Sequence, residues 1–185
     1  MPFYETELRG VFIFEPRVYD DERGFFYESY NQGDFNKYGI SNNFVQDNHS
    51  YSKYGVLRGL HYQLEPYAQA KLVRVVHGKI FDVAVDIRPG SPELGKWAGV
   101  ELSSENKKQV FIPAGFAHGF LVLSEYAEVI YKCDNFYHSE KSMGIMYNDP
   151  EIAVKWPEVK GGYILSEKDK TNPSFGEPAS GKIRR

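Results

Sequence analysis

The sequence predicts an all-β protein, on the evidence of its composition and of the spacing of its turns. Aromatic residues make up 16% of the 185 residues, with 14 Tyr and 13 Phe, and aromatic side chains favour β-strands. The chain also contains 17 Gly and 10 Pro, the residue types that mark turns. Turn signals recur about every 8–12 residues between short apolar runs, which is the spacing typical of a β-sandwich or barrel.

The strands are predicted from apolar runs that end at turn signals. The clearest is 80–87, where from residue 81 apolar residues alternate with small or acidic ones, as in a strand with one buried face. The turn 19–24 precedes the second strand, and a short helix is predicted at 31–38, with Asn31 as its N-cap. The other predicted strands are 11–14, 24–30, 44–50, 56–64, 71–77, 97–102, 109–112, 118–123, 128–133 and, more weakly, 144–147.

Length, charge and cysteine content indicate a single domain in a reducing compartment. A chain of this length fits one domain, which we assign to 1–170. The net charge of −3 argues against nucleic-acid binding. Cys133 is the one cysteine, so a cytoplasmic location is expected. The sequence lacks a signal peptide and an apolar run of about 18 residues, so no membrane span is expected. Residues 171–185 are rich in Pro, Gly and Ser, and we expect them to form a mobile tail.

The segment 113–118 reads Pro-Ala-Gly-Phe-Ala-His and lies between two predicted strands. This P-x-G-x-x-H pattern resembles the second motif of cupins, which are double-stranded β-helix (jelly-roll) barrels. The resemblance implies such a barrel, with a few short helices and with His118 in its interior. Taken alone, the pattern fits equally well a turn followed by a hydrogen-bonded structural histidine.

The first cupin motif, which supplies metal ligands, is incomplete in this chain. The matching stretch 60–63 places Gln63 where a second histidine would be, and no acid lies at the matching spacing. Zinc and iron sites normally need three His, Cys or carboxylate ligands, whereas here only His61 and His118 are available. A buried Lys71 would also repel a cation. We therefore expect a barrel that works without a metal ion or an organic cofactor.

Several longer blocks resemble the dTDP-4-dehydrorhamnose 3,5-epimerase family, in order and with few gaps from about residue 10 to residue 169. The blocks are DERGFF (21–26), FVQDN (44–48), RGLHYQ (58–63), KLVR (71–74), FDVAVDI (81–87), 112–120 and SEKD (166–169). The resemblance implies an isomerase that epimerises C3 and C5 of dTDP-4-dehydro-6-deoxy-D-glucose to give dTDP-4-dehydro-L-rhamnose. It also implies a homodimer whose subunits exchange N-terminal strands.

The resemblance implies four catalytic residues. His61 would remove the proton, Asp169 would orient and charge-stabilise His61, Tyr131 would return a proton to the opposite face, and Lys71 would lie beside the keto oxygen. The chemistry calls for these residue types, because histidine has an ordinary pKa near 6.5 and tyrosine, with a pKa of about 10, keeps its proton. A fixed positive charge stabilises the enolate oxygen that forms during the reaction.

The same resemblance implies a set of residues that bind the nucleotide-sugar. An additional acid is expected in the loop 138–143, where Glu140 is assigned, and Arg23 and Glu28 are expected to complete the pocket of the partner subunit. The thymine ring needs an aromatic face, for which Phe25, Phe26, Tyr27 and Tyr137 are candidates. The predicted binding residues are Arg23, Glu28, Gln46, Asn48, Arg58, His118, Glu140 and Lys168.

Single residues also allow structural interpretations. His61 could be a satisfied interior histidine, Lys71 an edge lysine with its stem along the surface, and Tyr131 a core residue. Arg58 and His61 have opposite strand parity, so an ideal strand would point them to opposite faces. Either a bulge at Gly59 rotates the chain, or Arg58 serves the edge or a partner subunit.

Three other functions remain open at this point. An epimerase acting at C3 or C5 alone would use the same base and acid, and would differ only in the shape of its pocket. A non-catalytic sugar-nucleotide-binding cupin would have no use for a histidine–aspartate pair that faces a tyrosine. A metal-dependent cupin enzyme would need the ligands that the first motif lacks.

Overall fold

The computed structural model describes residues 3–176, which fold almost entirely into short strands. The strands are β1 (Phe3–Glu5), β2 (Phe12–Phe14), β3 (Tyr19–Asp21), β4 (Gly24–Phe26), β5 (Gln46–Lys53), β6 (Leu57–Gln63), β7 (Lys71–His77), β8 (Lys79–Asp86), β9 (Trp97–Ser103), β10 (Gln109–Ile112), β11 (Phe116–Val122), β12 (Tyr126–Cys133) and β13 (Ser142–Gly144). Helix α1 (Gln32–Lys37), helix α2 (Glu167–Lys170) and a 3₁₀ turn (Ser139–Lys141) complete these elements. The predicted all-β fold with a few short helices is confirmed. Among the described residues, no helix has the length and apolar content that a membrane crossing needs.

Eleven of the strands form two sheets that pack face to face. The spatial order is β1-β2-β10-β7-β12-β5 in the larger sheet and β13-β6-β11-β8-β9 in the smaller one, while β3 and β4 form a separate hairpin. Neighbouring strands are antiparallel throughout, for example β7 with β12 and β8 with β11. Val73 and Val129 of the larger sheet share one buried core with Ile80 and Phe116 of the smaller sheet. Two aligned sheets around a common core are the arrangement of a jelly roll.

The smaller sheet is buried on both of its faces. Its outer face packs against the long C-terminal segment, in which Ile145 and Ile152 cover Leu60 and Val83. The prediction of one buried face for the strand at 80–87 is therefore wrong, because Asp82 on the inner side of β8 is as deeply buried as its apolar neighbours. The covering segment contains few strands, so strand periodicity gave no sign that it would pack there.

Local signals predicted some elements well and missed others. Strands β7 and β10 begin and end at the predicted residues, and Asn31 caps helix α1 by accepting hydrogen bonds from the backbone N–H groups of Gly33 and Asp34. The predicted turn 19–24 is instead part of the β3–β4 hairpin. The missed strand β3 is fully exposed, so it lacks the alternation of apolar and polar residues that marks a strand with a buried face.

The segment after residue 170 packs against the fold for at least its first six residues. Asn172 is buried, the backbone N–H of Phe175 donates to Asp149 Oδ2 at 2.7 Å, and the N–H of Met146 donates to the carbonyl of Pro173 at 2.9 Å. The packed chain thus extends beyond the boundary predicted at residue 170. The rest of the predicted tail, 177–185, lies outside the described residues.

Strand β6 carries one more residue than its partner β11. Arg58 pairs with Phe120 and His61 pairs with His118, so three steps along β6 match two steps along β11. The extra residue lies at Gly59, whose φ of +143° is in a region that side-chain-bearing residues rarely adopt. Of the two explanations for the parity conflict, the bulge is the one that this register supports, and it lets Arg58 and His61 line the same cavity.

Alanine substitutions at two glycines test how tightly this bulge is constrained. A Cβ atom on Gly59 would lie 2.6 Å from the Cα of Gly119, whereas Gly39, at φ +79°, has open space around it. Gly39→Ala should lower the free energy of unfolding by about 1–2 kcal/mol through backbone strain alone. Gly59→Ala should lower it by more than about 3 kcal/mol, because a steric clash adds to the strain. Urea unfolding measures both, and equal losses would contradict the tight contact.

Candidate active site

A cavity of about 690 Å³ lies between the two sheets and is closed on one side by residues 164–169. Strands β5, β7 and β12 of the larger sheet and β6 and β11 of the smaller one contribute to its walls. All four predicted catalytic residues and five of the eight predicted binding residues line it. These nine residues are Gln46, Asn48, Arg58, His61, Lys71, His118, Tyr131, Lys168 and Asp169.

His61 and Asp169 form a hydrogen-bonded pair although they are 108 positions apart in the chain. His61 Nε2 lies 2.5 Å from Asp169 Oδ1, and Asp169 is only 3% exposed. Burial alone would raise the pKa of Asp169, but hydrogen bonds with His61, Ser166 and Asn172 outweigh it and lower that pKa. With the Nε2 proton directed at this carboxylate, the basic lone pair of a neutral His61 is on Nδ1.

Ser166 fixes the position of Asp169. It is the N-cap of helix α2: its hydroxyl accepts a hydrogen bond from the backbone N–H of Asp169 at 3.1 Å and donates to Asp169 Oδ2 at 2.8 Å. One serine therefore both begins the helix and orients the carboxylate. The Ser-x-x-Asp spacing is a variant of the capping pattern that marks helix N-termini, so a search for capping patterns could have found Ser166 in the sequence.

Tyr131 belongs to the opposite sheet from His61. It lies on β12, between Val129 and Cys133, whose side chains are fully buried on the same side of the strand. Its ring packs partly against the core. Burial is the main cause of a raised pKa at Tyr131; Cys133 adds to it and Arg58 opposes it. Tyr131 therefore keeps its proton at neutral pH, as a proton donor must.

Lys71, His118 and Asp82 form a polar group in the interior. His118 is directly opposite His61 in the β6–β11 ladder, and its Nε2 lies 2.9 Å from Asp82 Oδ2. Burial lowers the pKa of His118, and the charges of Lys71 and His61 lower it further against the effect of Asp82. Burial also lowers the pKa of Lys71, while Cys133 and Asp82 oppose that shift. Asp82 Oδ1 has no hydrogen-bond partner among the described residues.

Polar side chains with hydrogen-bonding capacity form the remaining wall. The amide of Gln46 donates to Asn48 Oδ1 at 3.1 Å on strand β5. Arg58 Nε donates to Ser52 Oγ at 3.0 Å, which holds its guanidinium group at the cavity. Lys168 Nζ lies 3.4 Å from Ser142 Oγ. Two cations and two amides on one wall suit an anionic, hydrogen-bonding ligand.

Three predicted binding residues do not line this cavity. Arg23 is in the β3–β4 hairpin, where it is bound to Asp21 and its side chain is 85% exposed. Glu28 accepts a hydrogen bond from Asn31 at 3.1 Å. Glu140 lies in the exposed 3₁₀ turn, and Ser142 lines the cavity in its place.

The sequence gave weaker signals for other residues of the site. Asp82 was recognised only as one member of an alternating strand, and Gln63 only as a missing metal ligand. Of the four aromatic candidates for a base platform, Tyr137 is the one that lines the cavity. Within residues 3–176, no three His, Cys, Asp or Glu side chains come together in a group that could hold a metal ion. The histidines pair instead with single carboxylates.

Comparisons with known proteins point to one family. The sequence model described as dTDP-4-dehydrorhamnose 3,5-epimerase matches residues 5–177. Proteins of that name are 57% identical in Shigella flexneri over 176 residues, covering 95% of this chain and 96% of the relative, and 58% identical in Escherichia coli K12 over 171 residues, covering 92% of each.

Solved structures agree with this match. A dTDP-6-deoxy-D-glucose-3,5-epimerase from Legionella pneumophila, in complex with dTDP-4-keto-L-rhamnose, superposes with a TM-score of 0.90 at 50% identity, over 94% of this chain and 92% of that one. A 3'-monoepimerase from Streptomyces bikiniensis, in complex with dTDP-quinovose, has a TM-score of 0.84 at 32% identity, over 89% and 83% of the two chains. The predicted jelly-roll fold and the predicted family are confirmed.

The lowered pKa of Asp169 predicts a pH-dependent contribution to stability. A carboxylate whose pKa is depressed by folding stabilises the fold above its unfolded pKa, near 3.9, and loses that contribution as the pH falls through the folded value. Asp169→Asn should therefore lower the free energy of unfolding by about 1.5–3 kcal/mol at pH 7. The loss should shrink as the pH falls below about 4.

Urea unfolding at both pH values tests this prediction. Glu167→Gln is the matched control, since Glu167 is an exposed acid in the same helix and its replacement should change stability by less than about 0.5 kcal/mol. A loss for Asp169→Asn that is the same at both pH values would contradict the pKa assignment.

Proposed function

The chain belongs to the dTDP-4-dehydrorhamnose 3,5-epimerase family, and on that basis we propose that it epimerises C3 and C5 of dTDP-4-dehydro-6-deoxy-D-glucose to give dTDP-4-dehydro-L-rhamnose. The observation that carries this proposal is the His61–Asp169 pair on one side of a cavity whose other side holds Tyr131. A proton-accepting group and a proton-donating group on opposite walls are what inversion of a carbon centre needs.

The reaction begins when His61 takes the proton from a carbon next to the C4 ketone. The electron pair of the C–H bond forms a C=C bond, and the carbonyl electrons move to the C4 oxygen, giving an enolate. Asp169 stabilises the imidazolium that results. The hydroxyl of Tyr131 then donates its proton to the opposite face of the same carbon while the C4 carbonyl re-forms. Exchange with water restores the proton on Tyr131 and removes that on His61, after which the second carbon follows.

Lys71 supplies the positive charge for the enolate oxygen. It lines the cavity in the interior, where low dielectric strengthens its interaction with a developing negative charge. Removing one such stabilising group typically costs about 2.7–4 kcal/mol of transition-state stabilisation. His118, held by Asp82 at 2.9 Å, adds a hydrogen-bonding group near the same sugar.

The nucleotide would bind at the mouth of the cavity. We assign the diphosphate to Arg58 and Lys168, since guanidinium and ammonium groups bind phosphate strongly. Gln46 and Asn48 would bind the sugar or base, and the ring of Tyr137 would stack on thymine. Glu140 remains an expected ligand for which this geometry offers no support.

The partner subunit would complete the pocket. We propose a homodimer with exchanged N-terminal strands, in which Arg23 and Glu28 reach the partner's cavity. Two observations support it: neither residue lines the cavity of its own chain, and β1 and β5 are the edge strands of the larger sheet, with backbone groups available for pairing.

The location and the domain limits are proposals too. We place the enzyme in the cytoplasm, with supporting evidence in Cys133, a buried free thiol. We assign 1–170 to one catalytic domain, because residues from 46 to 169 contribute to the same cavity. The reaction proposed here uses neither a metal ion nor an organic cofactor.

One alternative has specific support. An epimerase acting on a single carbon would use the same base and acid, and the 3'-monoepimerase from Streptomyces bikiniensis is similar in structure at a TM-score of 0.84. A non-catalytic sugar-nucleotide-binding protein is disfavoured, because the His61–Asp169 pair and Tyr131 line one cavity.

The proposal is tested by incubating the protein with dTDP-4-dehydro-6-deoxyglucose in deuterated water. NMR should detect deuterium at both C3 and C5, whereas exchange at one carbon would identify the single-site alternative. His61→Asn should reduce exchange at both carbons by at least about 10²-fold, the lower end for a general base. Exchange by this variant within tenfold of the wild type would refute the assignment of His61, and absence of exchange in the wild type would refute the function.

Tyr131→Phe separates proton return from proton removal. The substitution keeps the ring's packing and removes only the hydroxyl, so His61 can still remove the proton. Deuterium should therefore still enter C3 or C5, while formation of the inverted product falls by at least about 10²-fold. The comparison is between deuterium incorporation and product configuration in the same NMR samples. A parallel decline of exchange and inversion would assign the hydroxyl to proton removal or substrate placement instead.

A further inference from the structure

Gln63 occupies the position at which the first cupin motif carries its second histidine, and the reaction proposed above gives it no role. It lies two residues after His61 on β6, at the same strand parity, and it lines the cavity. It is only 8% exposed. A buried amide inside an active-site wall needs its hydrogen-bonding groups satisfied, so its partners indicate what it does.

All the partners of Gln63 are backbone groups in two loops. Its Nε2 donates to the carbonyl of Tyr67 at 2.8 Å and to that of Phe136 at 3.2 Å. Its Oε1 accepts from the backbone N–H of His138 at 2.6 Å. Both amide hydrogens are used in this way, which leaves Gln63 no donor for a ligand. One side chain thus joins the loop 64–70, after β6, to the segment 136–138, after β12.

The segment 136–138 has little else to fix its position. Residues 136–140 are all exposed, so no buried apolar side chain anchors them to the core. The backbone N–H of Tyr137 donates to Gln46 Oε1 at 3.0 Å, and the ring of His138 stacks on Tyr67 with the ring centres 3.9 Å apart. Where apolar anchoring is missing, hydrogen bonds to a rigid strand set the loop conformation. Gln63 supplies three of them from β6.

Tyr137, at the centre of this segment, lines the cavity. On the premise of the proposed function, we propose that Gln63 is a positioning residue that fixes Tyr137 as a preformed wall of the nucleotide pocket. It acts on nucleotide binding and takes no part in proton transfer. A loop that is ordered before the ligand arrives does not lose conformational entropy on binding, and this raises affinity.

Gln63→Leu and Gln63→Met remove all three hydrogen bonds and keep a side chain of similar size. Both variants should weaken dTDP binding in calorimetry and raise KM by about tenfold, the factor expected for the loss of roughly one net hydrogen bond. The value of kcat at saturating substrate should stay within about twofold, because the reacting groups are untouched. Inorganic pyrophosphate, which lacks the base, should bind the variants and the wild type equally.

Trp156→Phe is the matched control. Trp156 Nε1 donates to the backbone carbonyl of Tyr147 at 2.8 Å, away from the cavity lining. Its loss should lower stability without changing dTDP affinity. The Met variant's flexible side chain provides a second folded protein to measure if the Leu variant is too unstable.

The outcomes separate this inference from the proposed function. Wild-type protein that binds dTDP, with Gln63 variants that bind it equally well, would overturn the positioning role alone. A decrease in kcat at unchanged KM would also overturn it, since Gln63 would then serve the chemistry. An equal loss of dTDP and pyrophosphate affinity would overturn it as well. Wild-type protein that neither binds dTDP nor exchanges substrate protons would refute the proposed function, and this inference with it.

Discussion

The close contact between Gly59 and Gly119 determines which side chains reach the cavity. Neither residue has a Cβ atom, so strands β6 and β11 approach so closely that a methyl group on Gly59 would overlap the Gly119 backbone. The bulge shifts the register by one residue at this point. In a strand, such a shift moves all later side chains to the other face. Because of it, Arg58 before the bulge and His61 after it line one cavity, and His61 lies opposite His118.

The carboxylate partner of His61 comes from a segment with little stability of its own. Helix α2 has four residues, and a helix that short does not form in isolation. It is held by its cap, Ser166, and by the hydrogen bond from Asp169 to His61. A parallel bridge between Val56 and Ile164 brings the segment to the start of β6. Docking of the C-terminal segment and completion of the catalytic pair are therefore the same event.

Local sequence signals predicted most strands and the small helix, because period-two alternation and an Asn cap depend on neighbouring residues only. The β3–β4 hairpin was missed because its first strand is exposed, and the burial of Asp82 was missed because a distant segment covers β8. The family resemblance brought nine residues to one cavity correctly. Arg23 and Glu28 were not expected in their own chain's pocket, and no single-chain pattern indicates what a partner subunit contributes. Glu140 was chosen among several polar residues in one loop, and the loop's backbone path presents Ser142 instead.

Burial is common to the titratable groups of the cavity, but their partners differ, and the partners set their roles. Asp169 receives several hydrogen bonds, so its pKa is lowered and it stays charged. The hydroxyl of Tyr131 has no hydrogen-bond partner in the described part of the chain, so burial raises its pKa and it keeps its proton. Lys71 and His118 are both driven toward the neutral form by burial. Since lysine starts about four units above histidine, and each charge disfavours the other, the single positive charge resides on Lys71. The cavity therefore offers one fixed cation to an enolate oxygen, between a charged carboxylate–histidine pair and a protonated tyrosine.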